Sequence, residues 1–428
     1  MSDLRAAAVA VLEGNRRAGY TVPAEGLYPY QWCWDSGPIA LGWAAAGRWD
    51  RAWSELRTLL SAQWESGFVP HIVFWQPCDD YFPGPDVWRT DRTPPTTGLT
   101  QPPLPISAAA RLFAGDPDRA RAHAAMSELW PRLVAWIEWL ARARRGPHGA
   151  CVIVHPWESG MDNAPCWDAP LSEVPSADDV HLARRDVATI AAALRPTDRD
   201  YRHYLGIVEA LRDAGWDTER QADASPFAVE DPAFTAIAVR GAVELSSVAS
   251  ELGADASVLD EFVAGARSGL AGLWDDEVGW FRAHDVRAGR ALAPLTVTGL
   301  VALWAGDLPR ARVDRMLARI DAWRASVPCE IPTCDPTAEG FDAERYWRGP
   351  VWVLVNWLAA EGLALAGFAD RAESLRRSTL ALVEREGFSE YYDARTGAGI
   401  GGQRFSWSAA LTLSWLLDAG PHDRSRLA

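Results

Sequence analysis

Helical periodicity recurs along almost the whole chain, and it restricts the fold more than any other feature of the sequence. In residues 197–215, five apolar side chains follow at helical spacing and Gly215 comes next as a stop signal. In residues 231–253, an Asp-Pro pair supplies a cap and a first-turn proline, and Gly253 ends the pattern. Both segments are predicted to be helices with defined ends.

The same reading predicts roughly fourteen helices in all, while strand patterns are scarce. Only residues 151–156 and 279–284 resemble short strands. The further helices are predicted near residues 3–17, 36–46, 49–64, 105–114, 118–144, 177–193, 256–273, 293–305, 308–323, 349–366, 369–386 and 405–419.

Many of these helices come in pairs, in which an Ala/Leu/Trp-rich helix alternates with an Arg/Glu-rich one. An apolar inner helix followed by an amphipathic outer helix would build two concentric layers. We therefore predict an all-α fold, an (α/α)6 barrel with long loops at one end. The alternative is an open α-solenoid, which the lack of a fixed sequence period disfavours.

We predict one domain, residues 1–428, with a loop insertion at about 76–105. That segment is rich in proline and has no helical or strand pattern. Loops of such length in compact domains are usually functional or disordered, and the aromatic residues of this one argue against disorder.

Composition excludes several classes of protein. All 42 basic residues are arginine, so enzymes that need a lysine Schiff base, pyridoxal phosphate or a P-loop are excluded. A net charge of −15 argues against nucleic acid or an anionic membrane as partner. No apolar run approaches the ~20 residues of a membrane span. Residues 1–17 do not read as a signal peptide, so a cytoplasmic location is expected.

The six cysteines contain no CxxC pair and have no His-rich cluster nearby. This pattern predicts reduced thiols, and no metal site is expected.

Four loops combine acids with aromatic rings, in a chain with 23 tryptophans. These loops are residues 27–37, 157–168, 344–357 and 387–411. Flat rings beside hydrogen-bonding groups suit sugars, which have apolar CH faces and polar hydroxyls. Glycoside hydrolysis uses two carboxylic acids across a sugar subsite, and the proton donor needs an apolar wall that raises its pKa.

The residues alone leave the choice of acids open. Asp162 lies before an Asn-Ala-Pro turn, where it is either a catalytic acid or a turn cap. Glu390 is either a catalytic group or a surface glutamate near a helix end, and Asp35 either binds sugar hydroxyls or caps a helix. The glycine-rich residues 396–403 have no strand before them, so a nucleotide-binding loop is rejected.

Ordered motifs add a family resemblance. "QWCWDSG", "DYFPGPDVW", "TQPP", "WESGMDN", "RPTDRDY", "RYWRGPVW" and "EYYDARTG" follow one another from about Tyr28 to Leu411. Together they resemble the bacterial branch of glycoside hydrolase family 63, the mannosylglycerate and glucosylglycerate hydrolases. The resemblance implies an (α/α)6 barrel and an inverting α-glycosidase.

The resemblance also implies a role for each matching residue. Asp162 would be the general acid, and Glu390 would be the general base that positions water. Arg195, the cation that a glycerate carboxylate requires, would lie in the glycerate subsite. The remaining substrate-binding residues would be Trp34, Asp35, Gln101, Tyr346, Trp347 and Trp352 for the sugar, Tyr28, Tyr81 and Tyr201 for glycerate, Trp157 between the subsites, and Gln403 in a closing loop.

Two departures from the family pattern concern substrate contact. Cys33 stands where relatives usually have Asn, and the segment before Tyr81 lacks a glycine that they carry.

The implied reaction is hydrolysis of glucosylglycerate, mannosylglycerate or both to hexose and D-glycerate, without cofactor or metal. The expected partner is this small sugar substrate, and a homo-oligomer is compatible with the sequence. One alternative is an α-glucosidase that acts on neutral disaccharides, and another is a non-catalytic sugar-binding protein. Inversion predicts that the carboxyls of Asp162 and Glu390 lie roughly 6.5–9.5 Å apart.

Overall fold

The computed structural model describes residues 2–78, 81–329 and 331–417, and it confirms a mainly helical chain. The α-helices are α1 (Ser2–Asn15), α2 (Cys33–Ala45), α3 (Trp49–Ser61), α4 (Pro85–Trp88), α5 (Leu104–Gly115), α6 (Arg119–Ala143), α7 (Asp168–Ser172), α8 (Asp186–Thr189), α9 (Asp198–Asp213), α10 (Gln221–Ala224), α11 (Pro232–Leu252), α12 (Ser257–Gly272), α13 (Val297–Val301), α14 (Arg310–Ser326), α15 (Val353–Leu365), α16 (Ala369–Glu386) and α17 (Ser406–Leu417). Across these residues no helix is both long and apolar enough to cross a membrane.

Six helices contact one another in a closed cycle. The order is α2, α5, α11, α13, α15 and α17, and α17 packs back against α2. Helices α3, α6, α12 and α16 follow members of the cycle in sequence and pack against them, while α1 packs against α17. The cyclic helices are buried along most of their length, whereas α16 exposes much of its surface.

The two helices with complete boundary signals form as predicted. Asp231 caps α11 by accepting a hydrogen bond from the backbone of Ala233, and Gly253 ends the helix in the left-handed conformation. Thr197 caps α9 in a capping box with Asp200. Local side-chain chemistry therefore sets the ends of both helices.

Short strands lie between the helices. They are β1 (Gln31–Trp32), β2 (Ile72–Val73), β3 (Val152–Ile153), β4 (Val229–Glu230), β5 (Trp274–Asp275), β6 (Trp280–Phe281), β7 (His284–Asp285), β8 (Arg290–Ala291), β9 (Tyr391–Tyr392) and β10 (Gly399–Ile400). β3, β4, β7 and β8 form an antiparallel sheet in that order. The two predicted strand segments are confirmed, the first as β3 and the second as β6 with the start of β7.

The predicted helix at residues 177–193 is wrong. The segment is mostly irregular and contains only the single turn α8 before a 3₁₀ turn at Ala192–Leu194. Arg184 and Asp186 are buried there and pair with each other, with 2.7 Å between Nη2 and Oδ2. A regular helix would place neighbouring charges around its surface, whereas this loop turns them inward. The helix predicted at 293–305 is similarly shortened to α13 and a 3₁₀ turn.

Close packing inside the cycle gives the first prediction. Gly42 of α2 lies against α17, where an added Cβ would overlap the Cβ of Ala410 and lie 2.5 Å from its Cα. We expect Gly42→Ala to lower the free energy of unfolding by about 1–3 kcal/mol, because packed cores tolerate extra atoms poorly. Chemical denaturation measures the change. Gly26→Ala is the control, since a Cβ at Gly26 meets no atom within 4 Å, and equal stability of the two variants would contradict the prediction.

Candidate active site

A cavity opens where the segments that lead into the cyclic helices meet. Its empty volume is about 770 Å³ when the space at its mouth is included. Twelve of the fourteen residues singled out from the sequence line it. They are Tyr28, Trp34, Asp35, Tyr81, Gln101, Trp157, Asp162, Arg195, Tyr201, Tyr346, Trp347 and Glu390.

Asp162 lies in a tight turn that directs it at the cavity. Gly160 has a φ of +70°, and a Cβ there would lie 3.1 Å from the ring of Trp34, so only glycine lets the turn lie flat on that indole. Behind the turn, the hydroxyl of Tyr204 donates a 2.8 Å hydrogen bond to the backbone carbonyl of Asp162. Burial raises the pKa of Asp162 to about 7, against the opposing effect of the Arg195 guanidinium.

The other two acids of the 157–168 segment face elsewhere. Glu158 is fully buried and forms two 2.9 Å hydrogen bonds with the guanidinium of Arg144. It also accepts hydrogen bonds from the backbone N–H groups of Thr100 and Val154. Asp168 is exposed and pairs with Arg348. Of the three acids, Asp162 lines the cavity, Glu158 holds the segment in place, and Asp168 forms an ion pair away from the cavity lining.

Glu390 is buried and surrounded by hydrogen-bond donors. Oε1 accepts a 2.8 Å hydrogen bond from the hydroxyl of Tyr28 and a 3.2 Å hydrogen bond from Nη1 of Arg195. Oε2 accepts 2.8 Å from the backbone N–H of Gly402. Gly401 has a φ of +75°, and a Cβ there would lie 2.5 Å from Oε2 of Glu390. The glycine-rich run thus brings the backbone against this carboxylate.

Arg195 faces the cavity with every guanidinium nitrogen engaged. Besides its contact with Glu390, it donates a 2.7 Å hydrogen bond to the hydroxyl of Tyr28 and a 3.3 Å hydrogen bond to Asp186. Its guanidinium lies 3.9 Å from the ring centre of Tyr346. Burial favours the neutral form of Asp186, but the hydrogen bond from Arg184 and the charge of Arg195 outweigh it and lower the pKa. A buried chain of alternating charges therefore ends at Glu390.

Asp35 lies in the first turn of α2, and its Oδ1 is a buried oxygen without a hydrogen-bond partner. Burial, together with the Glu390 carboxylate, raises its pKa well above the usual range. A buried acceptor beside a cavity is suited to a ligand hydroxyl. The neighbouring Gln101 accepts 3.2 Å from the backbone N–H of Trp34 and so ties this turn to the segment before α5. Cys33 is fully buried and does not line the cavity.

Stacked rings form the walls. Trp157 lies between His155, at 4.4 Å between ring centres, and His71, at 6.3 Å. Trp347 stacks on Trp352 at 3.7 Å with an interplanar angle of 4°. Trp352 is therefore behind the wall and supports Trp347, not a lining residue itself.

Gln403 does not line the cavity either. Its side chain is exposed, and its Oε1 accepts 3.2 Å from the hydroxyl of Ser389.

Several lining residues were not singled out from the sequence. They include Trp32, His71, Trp88, Phe405 and Trp407. Burial lowers the pKa of His71 to about 3, so its imidazole is neutral and shares a 2.7 Å hydrogen bond with Thr97. Trp407 and Phe405 follow the glycine-rich run directly, and that position is the signal that would have found them. Trp88 lies in the insertion and has no acid beside it that points to the cavity.

Comparison with known proteins gives consistent matches. A family model described as the mannosylglycerate hydrolase MGH1-like glycoside hydrolase domain matches residues 28–408. The chain is 45% identical over 413 residues to mannosylglycerate hydrolase of Thermus thermophilus, covering 95% of this chain and 99% of the relative. It is 36% identical over 437 residues to glucosylglycerate hydrolase of Mycolicibacterium hassiacum, covering 97% and 98%.

A solved structure is similar over the same length. The crystal structure of a GH63 mannosylglycerate hydrolase from T. thermophilus in complex with Tris and D-glycerate has a TM-score of 0.93 and 45% identity, and covers 96% of this chain and 100% of that one.

Proposed function

The chain belongs to the mannosylglycerate hydrolase MGH1-like glycoside hydrolases of family 63, and from that premise we propose that it is an inverting enzyme that cleaves α-glycosides of D-glycerate. Asp162 protonates the glycosidic oxygen as general acid. Glu390 removes a proton from the water that attacks the anomeric carbon from the opposite face. The products are hexose and D-glycerate.

One observation carries this proposal: a single cavity holds two carboxyl groups with different surroundings. The environment of Asp162 raises its pKa to about 7, so a large share of it holds a proton near neutrality. Glu390 instead accepts hydrogen bonds from a guanidinium, a phenol hydroxyl and a backbone N–H. Pairs of acids in such contrasting environments are typical of glycosidases. A carboxyl separation of roughly 6.5–9.5 Å would leave room for the water.

Glycerate is the proposed leaving group. The relatives are named for mannosylglycerate and glucosylglycerate, and the T. thermophilus structure contains D-glycerate. Arg195 supplies a cation at the cavity wall with Tyr28 and Tyr201 nearby, which fits a small carboxylate. Trp34, Asp35, Gln101, Tyr346 and Trp347 form the proposed sugar subsite.

The fold proposal follows from the closed cycle of helices. We propose that α2, α5, α11, α13, α15 and α17 are the inner layer of an (α/α)6 barrel, and that residues 1–428 form one domain with an insertion at about 76–105. In the part of this insertion that the structure describes, α4 is the only helix before α5 begins at Leu104. Two carboxyls and one water suffice for the proposed reaction, so it requires no cofactor. We also propose a cytoplasmic location.

An activity panel tests the function. Glucosylglycerate, mannosylglycerate, trehalose and nigerose would be offered at equal concentration, and cleavage of a glycosyl glycerate with the highest kcat/KM is expected. Proton NMR of the first product should show the β-anomer. Initial release of the α-anomer would exclude inversion, and preference for a neutral disaccharide would exclude glycerate as the favoured leaving group.

The role of Arg195 gives a second prediction. We expect Arg195→Ala to lower kcat/KM for a glycosyl glycerate by at least about 30-fold, because loss of a buried charged contact costs roughly 2 kcal/mol or more. Steady-state kinetics with the matching glycosyl glycerol, which lacks the carboxylate, separates the two functions of this residue. A larger loss of kcat/KM with the glycosyl glycerate than with the glycosyl glycerol indicates that Arg195 binds the carboxylate. An equal loss with both substrates indicates that Arg195 acts only by positioning Glu390.

Arg199→Ala is the matched control for that experiment. Arg199 is an exposed arginine at the start of α9, close in sequence to Arg195. Its replacement should leave kcat/KM for both substrates unchanged. A similar loss in this variant would show that the effect of Arg195→Ala is not specific.

A further inference from the structure

A cluster of side chains that could bind a metal ion lies outside the cavity lining, at the four-stranded sheet. His148, Glu230 and His284 each offer one ligand atom, and these atoms lie within 4.8 Å of one another. Glu230 is fully buried, His284 is half-buried and His148 is exposed. In the chain, 82 residues separate His148 from Glu230, so no spacing motif marks the cluster in the sequence.

The sheet register brings two of the three together. Glu230 of β4 and His284 of β7 are direct antiparallel partners. Residues directly opposite one another in antiparallel strands project from the same face of the sheet. His148 approaches from the loop between α6 and β3, with Nδ1 2.6 Å from Oε2 of Glu230. The two imidazole rings meet edge to face, 4.5 Å between centres.

Backbone groups hold the carboxylate in one orientation. Oε1 of Glu230 accepts a 2.9 Å hydrogen bond from the backbone N–H of His148 and a 3.2 Å hydrogen bond from the backbone N–H of Ala150. Gly146 lies so close that a Cβ would be 2.5 Å from Cδ of Glu230. One oxygen is thus fixed by the loop, and the other faces the imidazoles. Such outer hydrogen bonds are what orients ligands in metal sites.

We propose that His148, Glu230 and His284 bind one divalent transition-metal ion of the zinc type. Two imidazole nitrogens and one carboxylate oxygen form a donor set that suits Zn²⁺, whereas Mg²⁺ and Ca²⁺ prefer oxygen ligands alone. With ligand distances of about 2.0–2.2 Å, the ion replaces the hydrogen bond between His148 and Glu230 after a small rotation of the exposed imidazole. The fourth position opens toward solvent on the side of His148, whose side chain is 37% exposed.

The placement of the site means that a bound ion would connect three separate segments of the chain. β3 pairs with β4 and continues through the 3₁₀ turn Pro156–Ser159 into the segment that carries Asp162. An ion that joins the His148 loop to β4 and β7 would brace this sheet. This differs from the expectation of no metal, which rested on the spacing of cysteines and histidines in the sequence. The proposed metal site does not depend on the proposed reaction.

Metal binding to the full chain tests the proposal. Metal-stripped protein would be titrated with Zn²⁺ by calorimetry, and we expect one equivalent to bind. His148→Ala and His284→Ala should each weaken binding by at least about 100-fold, more than most outer-shell changes do. Zn²⁺ should also raise the midpoint of thermal unfolding in the wild type and leave it unchanged in both variants. His123→Ala, which removes an exposed histidine of α6, is the control and should bind as the wild type does.

Co²⁺ serves as an optical probe of the ligand type, because the chain also carries six cysteines. Visible d–d bands without a thiolate charge-transfer band are expected. Wild-type affinity in both cluster variants, a thiolate band, or no binding at all would each overturn the proposal. Circular dichroism verifies that the variants are folded, and His148→Ala is the milder change because its side chain is the most exposed of the three.

Discussion

Asp162→Asn is expected to reduce kcat for a glycosyl glycerate by about 10²–10⁴-fold while leaving KM nearly unchanged, the range typical for loss of a general acid. The amide keeps the shape of the carboxyl group but cannot donate a proton to the departing glycerate oxygen. Because burial raises the pKa of Asp162 to about 7, wild-type kcat/KM should fall as the pH rises through about 7 and the acid loses its proton. That limb of the profile should disappear in the variant.

A substrate with a good leaving group makes this test specific. Fluoride leaves an α-glycosyl fluoride without being protonated. The Asp162→Asn variant should therefore hydrolyse this substrate at close to the wild-type rate. Asp168→Asn is the matched control, since Asp168 belongs to the same segment but is exposed and pairs with Arg348. Near-normal turnover of glycosyl glycerate by Asp162→Asn, or an unchanged alkaline limb, would refute the assignment.

Residue pattern predicted elements wherever local interactions decide them. Helix α16 has the predicted bounds, 369–386, because an amphipathic run lies between Gly367 and Gly387. The capped helices α9 and α11 were predicted for the same reason. The helix prediction for residues 177–193 was wrong because their composition is compatible with a helix. The buried ion pair of Arg184 and Asp186 is a tertiary contact that no local sequence pattern indicates.

The candidate site was predicted where acids and aromatics are close in sequence. Asp162 and Glu390 each stand in such a segment, and the family motifs selected them from equivalent neighbours such as Glu158. Residue pattern does not reveal geometry that depends on distant segments. The stacking of Trp352 behind Trp347, and the placement of His71 and Trp88 in the wall, depend on packing between segments that are far apart in sequence.

The contact between Arg195 and Glu390 is the most informative result of that folding. In sequence these residues were assigned to different tasks, carboxylate binding and water activation. In the structure the guanidinium contacts the carboxylate at 3.2 Å, so any change at one residue alters the other. This is why the Arg195 experiment needs a substrate without a carboxylate, and why the test of Glu390 must use a change that keeps the size and shape of the side chain.

Glu390→Gln meets that requirement and is expected to reduce kcat by about 10²–10⁴-fold, with little change in KM. The amide oxygen can still accept from Tyr28, but a neutral amide cannot take a proton from water. In contrast to Asp162→Asn, the loss should be as large with an α-glycosyl fluoride, because water must be activated whatever the leaving group. Steady-state kinetics with both substrates therefore assigns base and acid independently.

Azide extends this test, since it attacks without losing a proton. Adding it to Glu390→Gln with an α-glycosyl fluoride should restore part of the turnover, which also demonstrates that the variant is folded. Glu384→Gln, an exposed glutamate of the same helix-to-strand region, is the control and should match the wild type. If Glu390→Gln retains wild-type hydrolysis, Glu390 is not the base. Asp35, whose buried carboxyl group also lines the cavity, would then be the next residue to replace.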